Sequence, residues 1–169
     1  MEYTLKTISA SGIAEALKKA ERYRLLNHPD EAESICHDIL AIEPESQVAL
    51  RVLGLSLTDE FTGDLADRHA EAAAAFEKLS DPYDRVYHLG VLCERRAKAQ
   101  LEAGRAMHTL VAMFEQAMRY FAEAENIRPP GNDDAILRWN RCVRVLQKHA
   151  AGAEVDRIQT LGIQDTAPV

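Results

Sequence analysis

Pro29-Asp30-Glu31-Ala32-Glu33-Ser34-Ile35-Cys36-His37-Asp38-Ile39-Leu40-Ala41-Ile42-Glu43-Pro44 is the stretch that decides the architecture. Ala32, Ile35, Cys36, Ile39 and Leu40 recur at three- and four-residue steps, which places them on one face of an amphipathic helix. The dipeptide His28-Pro29 separates this helix from the one before it, because the residue preceding a proline is driven out of the helical well. Glu43-Pro44 ends it for the same reason.

Working outward, the same period continues in both directions. Ile13, Ala16, Leu17, Ala20 and Tyr23 form the preceding stripe. Ala49, Leu50, Leu53, Gly54 and Leu57 form the following one, closed by Phe61-Thr62-Gly63. Asp64 is positioned to cap a fourth helix carrying Leu65, Ala72, Ala73, Phe76 and Leu79. Ser80-Asp81-Pro82 is a start signal, with the cap residue followed by proline at the first helical position. From there Val86, Leu89, Gly90, Cys93, Ala97 and Leu101 mark a long fifth helix ending near Gly104. A sixth carries Met107, Leu110, Val111, Phe114, Met118 and Phe121, and is stopped by Arg128-Pro129-Pro130-Gly131. Asn132 or Asp133 caps a seventh, expected to run to about residue 149. Ile136, Trp139, Val143 and Leu146 share one of its faces. Arg138, Arg141, Arg144 and Lys148 form a basic strip on the other, either a solvated cap surface or a surface for an acidic partner. No segment alternates with the two-residue period of a strand.

Within this series one pattern repeats. Ala32-x3-Cys36-x2-Ile39-x4-Pro44 has a small–bulky–small–proline spacing. The helix pair beginning at Ile13 is followed by another beginning 34 residues later, at Gln47, and a third about 36 residues further on. Leu53-Gly54 and Leu89-Gly90 fall at matching phase, and Phe121-x2-Ala124-x4-Pro129 closes the third unit. On these residues the chain resembles the tetratricopeptide repeat (TPR) family over residues 13–149. It departs from the family pattern in two places. Leu50 and Val86 stand where a tryptophan is usual, and the longer helices of the third unit put Pro129 beyond the standard spacing. The resemblance implies an all-α, TPR-like helical-hairpin solenoid of about seven helices, the last a C-terminal cap. Residues 1–150 form its single domain, and residues 151–169 are expected to be a mobile tail. Gly54 and Gly90 then let the paired helix approach closely, and the Tyr or Leu one turn later is expected to fill the gap beside each.

Composition excludes several classes. Twenty-seven acidic residues against twenty basic ones, a net charge of −7 over 169 residues, do not suit a general nucleic-acid binder, which needs a basic stripe. No apolar run approaches the roughly 18 residues of a membrane span, and Met1–Thr7 lacks the continuous apolar stretch of a secretion signal. The three cysteines, Cys36, Cys93 and Cys142, are odd in number and far apart. They read as buried thiols of a reducing, cytoplasmic protein.

Little in the sequence reads as catalysis. No two of the six histidines lie three or four apart, so no two-histidine metal pattern and no cofactor are expected. Asp67 and Glu71 could point the same way but read as solvated carboxylates. Cys93 lies in the apolar stripe and His88 does not share its face, which argues against a nucleophilic pair. The acid–base pairs Glu15–Lys19, Asp64–Arg68, Asp81–Arg85, Glu94–Lys98, Glu115–Arg119 and Asp134–Arg138 are expected to support their helices.

In arrays of the TPR type, the first helix of each pair lines a concave groove. The resemblance implies a lining of Lys18, Glu21 and Arg24, then Arg51, Leu55 and Asp59, then Tyr87, His88, Val91, Glu94 and Arg95. The carboxylate clamp of chaperone-binding members is missing, since Leu17, Glu21, Val52, Asp84 and His88 occupy its slots. Residues 1–60 carry 11 acidic and 6 basic side chains, a charge that favours a basic or amphipathic partner. The expected function is therefore a non-enzymatic module binding a peptide or protein segment in this groove. Two alternatives stand beside it: a small secretion-type chaperone shielding apolar client segments, and an all-helical enzyme with a polar site at Tyr87, His88, Glu94 and Arg95. Self-assembly into a homodimer through a repeat end is a further possibility for the partner surface.

Overall fold

The computed structural model describes the backbone over residues 3–62 and 66–164, and side chains over residues 3–62 and 68–151. Within them lie seven α-helices and no strand: α1 (Ile13–Leu25), α2 (Pro29–Leu40), α3 (Gln47–Asp59), α4 (Ala66–Glu77), α5 (Pro82–Glu102), α6 (Met107–Ile127) and α7 (Asp134–Gln164). A 3-10 turn, Ala10–Gly12, leads into α1.

Local chemistry accounts for the boundaries. Pro29 and Pro82 open α2 and α5, where their missing N–H groups leave no hydrogen bond unmade. The Asp81 carboxylate accepts the Asp84 N–H at 2.9 Å. Asn27, at φ 63°, makes the left-handed turn from α1 to α2, a conformation that Asn tolerates better than most residues. Gly104 and Gly131, at φ 89° and 80°, do the same after α5 and α6. The expected Asp64 cap and the Gly63 and Leu65 positions lie outside the described residues.

The seventh helix differs from expectation in two respects. Its backbone continues as helix to Gln164, well past the expected end near residue 149. Residues 165–169 and the side chains of Val155, Ile158, Leu161 and Ile163 lie outside the described residues. Its apolar strip also differs in part: Trp139 and Leu146 pack into the core as expected, but Ala135 and Cys142 are the fully buried positions in place of Ile136 and Val143.

Consecutive helices pack against each other, and α1 on α3, α3 on α5 and α5 on α7 also meet. Among the described residues, α2 and α4, and α4 and α6, have no such backbone approach. The molecule therefore has two layers of helices, of which the odd-numbered layer is the closely spaced one. Two fully buried phenylalanines hold the layers together. A Cβ built on Gly54 would lie 2.7 Å from Cζ of Phe76 on α4, and one on Gly90 would lie 2.6 Å from the Phe121 ring on α6. The absent side chain is thus the space each ring fills. Around Phe76 cluster Ala20, Cys36, Leu50, Leu57 and Leu92, and around Phe121 cluster Tyr83, Val91, Leu110 and Phe114. Leu55 borders both groups.

Candidate functional site

The charged side chains of the odd-numbered helices meet across helix boundaries. Arg24 on α1 and Asp59 on α3 form an ion pair at 2.8 Å, aligned too poorly for a hydrogen bond. Arg95 on α5 donates to the other Asp59 oxygen, to Thr58 Oγ1 at 2.6 Å and to the Leu55 carbonyl at 3.2 Å. Glu94, one position earlier, is 3 % exposed and accepts Arg138 Nη1 of α7 at 3.0 Å. Arg141 Nε stands 3.4 Å from its second oxygen. Arg51 lies more loosely between Glu21 and Asp84, at 4.0 and 3.9 Å. The result is a ladder of alternating charge across α1, α3, α5 and α7.

Between α3, α5 and α7 the ladder borders an open cleft of about 250 Å³. Asp59, Glu94 and Glu102 line it together with Arg95, Lys98, Arg138 and Arg141, and Phe61 joins them. Burial pulls the Arg95 guanidinium below its ordinary range, and Asp59 opposes that shift. Burial also acts on Arg138, but there Glu94 and Tyr87 outweigh it and hold the group above its ordinary value. Both remain cations. Glu94 already serves Arg138, so Arg141, with its side chain 46 % exposed, has charge to offer an incoming group. Lys98, 50 % exposed, contacts Glu102 at 3.5 Å. An exposed pair of this kind is weak and readily exchanged for another anion.

The expected groove lining is divided by this arrangement. Arg24, Asp59, Glu94 and Arg95 belong to the ladder, with Glu21 and Arg51 at its margin. Lys18 instead pairs with Glu15 at 2.8 Å on a fully solvated face. His88 and Val91 are corrections: at 6 % and 1 % exposure they are interior residues. The His88 ring lies tilted by 31° against Phe76 with ring centroids 5.2 Å apart, and its Nδ1 lies 2.6 Å from the Asp84 carbonyl. Desolvation there holds its pKa below the usual 6.5. Tyr87 stacks on Tyr83 at 5.7 Å and is partly buried. The polar group Tyr87, His88, Glu94 and Arg95 is therefore not brought together: the cleft takes in the last two and neither of the first two.

The expected four-residue ion pairs are also corrected. Lys98 turns to Glu102, Arg138 crosses to Glu94, Arg119 donates to Gln116, and Arg85 donates to the Leu79 carbonyl. Glu15 takes Lys18, and Arg68 takes Glu33 on α2. Asp64 lies outside the described residues. Arg138 and Arg68 go to better-buried acceptors on other helices, whereas Lys98, Lys18 and Arg119 stay with exposed partners on their own helices, each pair worth only a few tenths of a kcal/mol. Thr58, Lys98 and Arg138 were missed as groove residues. The basic strip on α7 was the available signal, and the register of α7 against α5 turned Arg138 inward.

The thiols carry no sign of activation. Burial pushes Cys36 and Cys142 up to about 12 and raises Cys93 as well, the reverse of a nucleophile's shift. Among the described residues no helix is long and apolar enough to cross a membrane. Comparison of the chain with protein-family models, with curated proteins and with solved structures finds no match.

Proposed function

We propose that the chain is a non-enzymatic, TPR-like helical-repeat module that binds an acidic segment of a protein partner in the cleft between α3, α5 and α7. The repeat reading is supported by helix pairs beginning at Ile13, Gln47 and Pro82, by the Gly54–Phe76 and Gly90–Phe121 contacts recurring in successive pairs, and by the closer spacing of the odd-numbered layer. Closer spacing in one layer makes that layer the inner side of a curved stack.

One observation carries the partner's chemistry. Glu94 is shared by two arginines, which leaves Arg141 and the weakly held Lys98 as the charge available at the cleft. An incoming carboxylate meets a guanidinium whose planar donors suit it, beside a second cation. The acidic N-terminal third favours a basic partner only at long range. At the cleft itself four cations stand against three carboxylates, and contact distances decide affinity.

Fluorescence anisotropy with labelled Glu/Asp-rich and Lys/Arg-rich peptides of equal length tests this. The acidic set should bind the full chain with an affinity that falls as salt rises. Charge reversal at Arg141 and Lys98 together should weaken it at least about tenfold, the scale of one charge-assisted hydrogen bond. Binding of the basic set alone, or acidic binding indifferent to the double reversal, would refute the assignment.

A further inference from the structure

Away from the cleft, α2 and α4 are bridged by side chains alone. Glu33 and His37 stand one turn apart on α2, and Glu71 reaches toward them from α4. His37 Nε2 lies 3.8 Å from Glu33 Oε1 and 3.6 Å from Glu71 Oε1, and the ligand atoms of all three lie within 4.8 Å of one another. Two bonds of about 2.1 Å at a tetrahedral angle separate their ligand atoms by about 3.4 Å, so the two imidazole–carboxylate spacings already approach those of a coordinated ion. We propose that Glu33, His37 and Glu71 form a binding site for a divalent transition-metal ion of the zinc, cobalt or nickel class, which would staple α2 to α4.

A second observation points the same way. The other Glu33 oxygen, Oε2, accepts Arg68 Nη1 at 2.7 Å, and Arg68 is itself held by Glu60. The Glu33 carboxylate is thereby fixed, with Oε1 turned toward His37 and free for a ligand bond. Outer groups of this kind orient metal ligands in protein sites. One imidazole and two carboxylates are a borderline donor set. They suit zinc-type ions better than calcium, which takes six to eight oxygens, or magnesium, which holds its waters. Solvent supplies the fourth ligand, since Glu71 and His37 are 46 % and 50 % exposed. The neighbouring thiol, Cys36, does not compete. It is fully buried in the core with its pKa pushed up to about 12.

The spacing of the histidines gave no hint of such a site, because its third ligand comes from a residue 38 positions beyond Glu33 and only the packing of α4 beside α2 brings it there. The site is independent of the partner-binding reading, since none of its residues lines the cleft.

Isothermal titration of the metal-free, untagged full chain with zinc chloride tests it. One ion per chain should bind. His37→Ala and Glu71→Gln should each weaken binding at least about tenfold, the loss that follows removal even of a group that only orients a ligand. His108→Ala, on the exposed surface of α6, should leave it unchanged. Because His37 and Glu71 are exposed, both variants should keep the helical circular dichroism of the parent. Cobalt(II) added to the unaltered chain should broaden the His37 imidazole NMR signals before those of the other histidines. Undiminished zinc affinity in both variants, no saturable binding by the parent, or broadening that begins at another histidine overturns the proposal.

Discussion

Gly54→Ala isolates the contact that sets the distance between α3 and α4. An alanine in a helix interior is favoured over glycine by about 1 kcal/mol, so on propensity alone the substitution should stabilise. Its methyl, however, would lie 2.7 Å from Phe76 Cζ, well inside van der Waals contact. Phe76 is fully buried among Leu50, Leu57, Ala72 and Leu79, so its ring has nowhere to swing. Overpacking of this kind costs about 1–3 kcal/mol. The net expectation is a loss of up to about 2 kcal/mol, or up to several degrees in Tm at this chain length. Urea unfolding followed by circular dichroism measures it, with an unchanged m-value marking an effect on the folded state. Phe76→Leu removes the ring atoms in question. In that background Gly54→Ala should turn neutral or stabilising, giving a coupling of about 2 kcal/mol between the two sites. The same cycle at Gly90 and Phe121 should behave alike, because the Cβ there would meet the ring at 2.6 Å. A more stable Gly54→Ala protein, or additive effects of the two changes, would refute the close-approach argument.

Two further outcomes follow from the charged and buried groups. Glu94→Gln removes the counter-charge of Arg138 at 3.0 Å and of Arg141 at 3.4 Å, and one of the two acceptor oxygens, while keeping the shape. It should cost about 1–3 kcal/mol in urea unfolding, because a largely buried guanidinium loses its counter-charge; a parent-like midpoint would show the pair to be energetically idle. His88 has its folded-state pKa held below 6.5 by burial. The unfolded chain then binds the proton more readily, so the His88 contribution is complete above pH 6.5 and is lost as pH falls through the depressed folded value. His88→Leu should flatten the acid limb of the urea midpoint plotted against pH, and an unaltered slope would remove His88 as its source.

Much of the fold was legible because helix formation is a local matter. The apolar repeats at Ala32–Leu40 and Ala49–Leu57, and the prolines at 29 and 82, act over one or two turns, and the corresponding helices begin where those residues put them. The glycines at 54 and 90 marked where a paired helix comes close, but the gap beside each was expected to be filled one turn along the same helix, and the paired helix fills it instead. Phe76 and Phe121 fill those gaps. The limits were equally physical. One face of α5 carries Tyr87, His88, Val91, Glu94 and Arg95 in close succession, and periodicity alone does not say how far round that helix its neighbours wrap. With α4 and α6 packed on one side and α7 on another, His88 and Val91 are enclosed while Arg95 still borders the cleft.

From residue order alone came the all-helical class, the places where helices start, the pairing by short turns and the two small-residue contacts, because each depends on dihedral preference and periodicity within a few residues. Tertiary structure alone decided which charges meet. Asp59 joins Arg24 to Arg95, Glu94 joins two arginines of α7, and Glu71 joins the Glu33–His37 pair of α2, since these partners lie tens of residues apart and only the stacking of helices brings them within 4 Å.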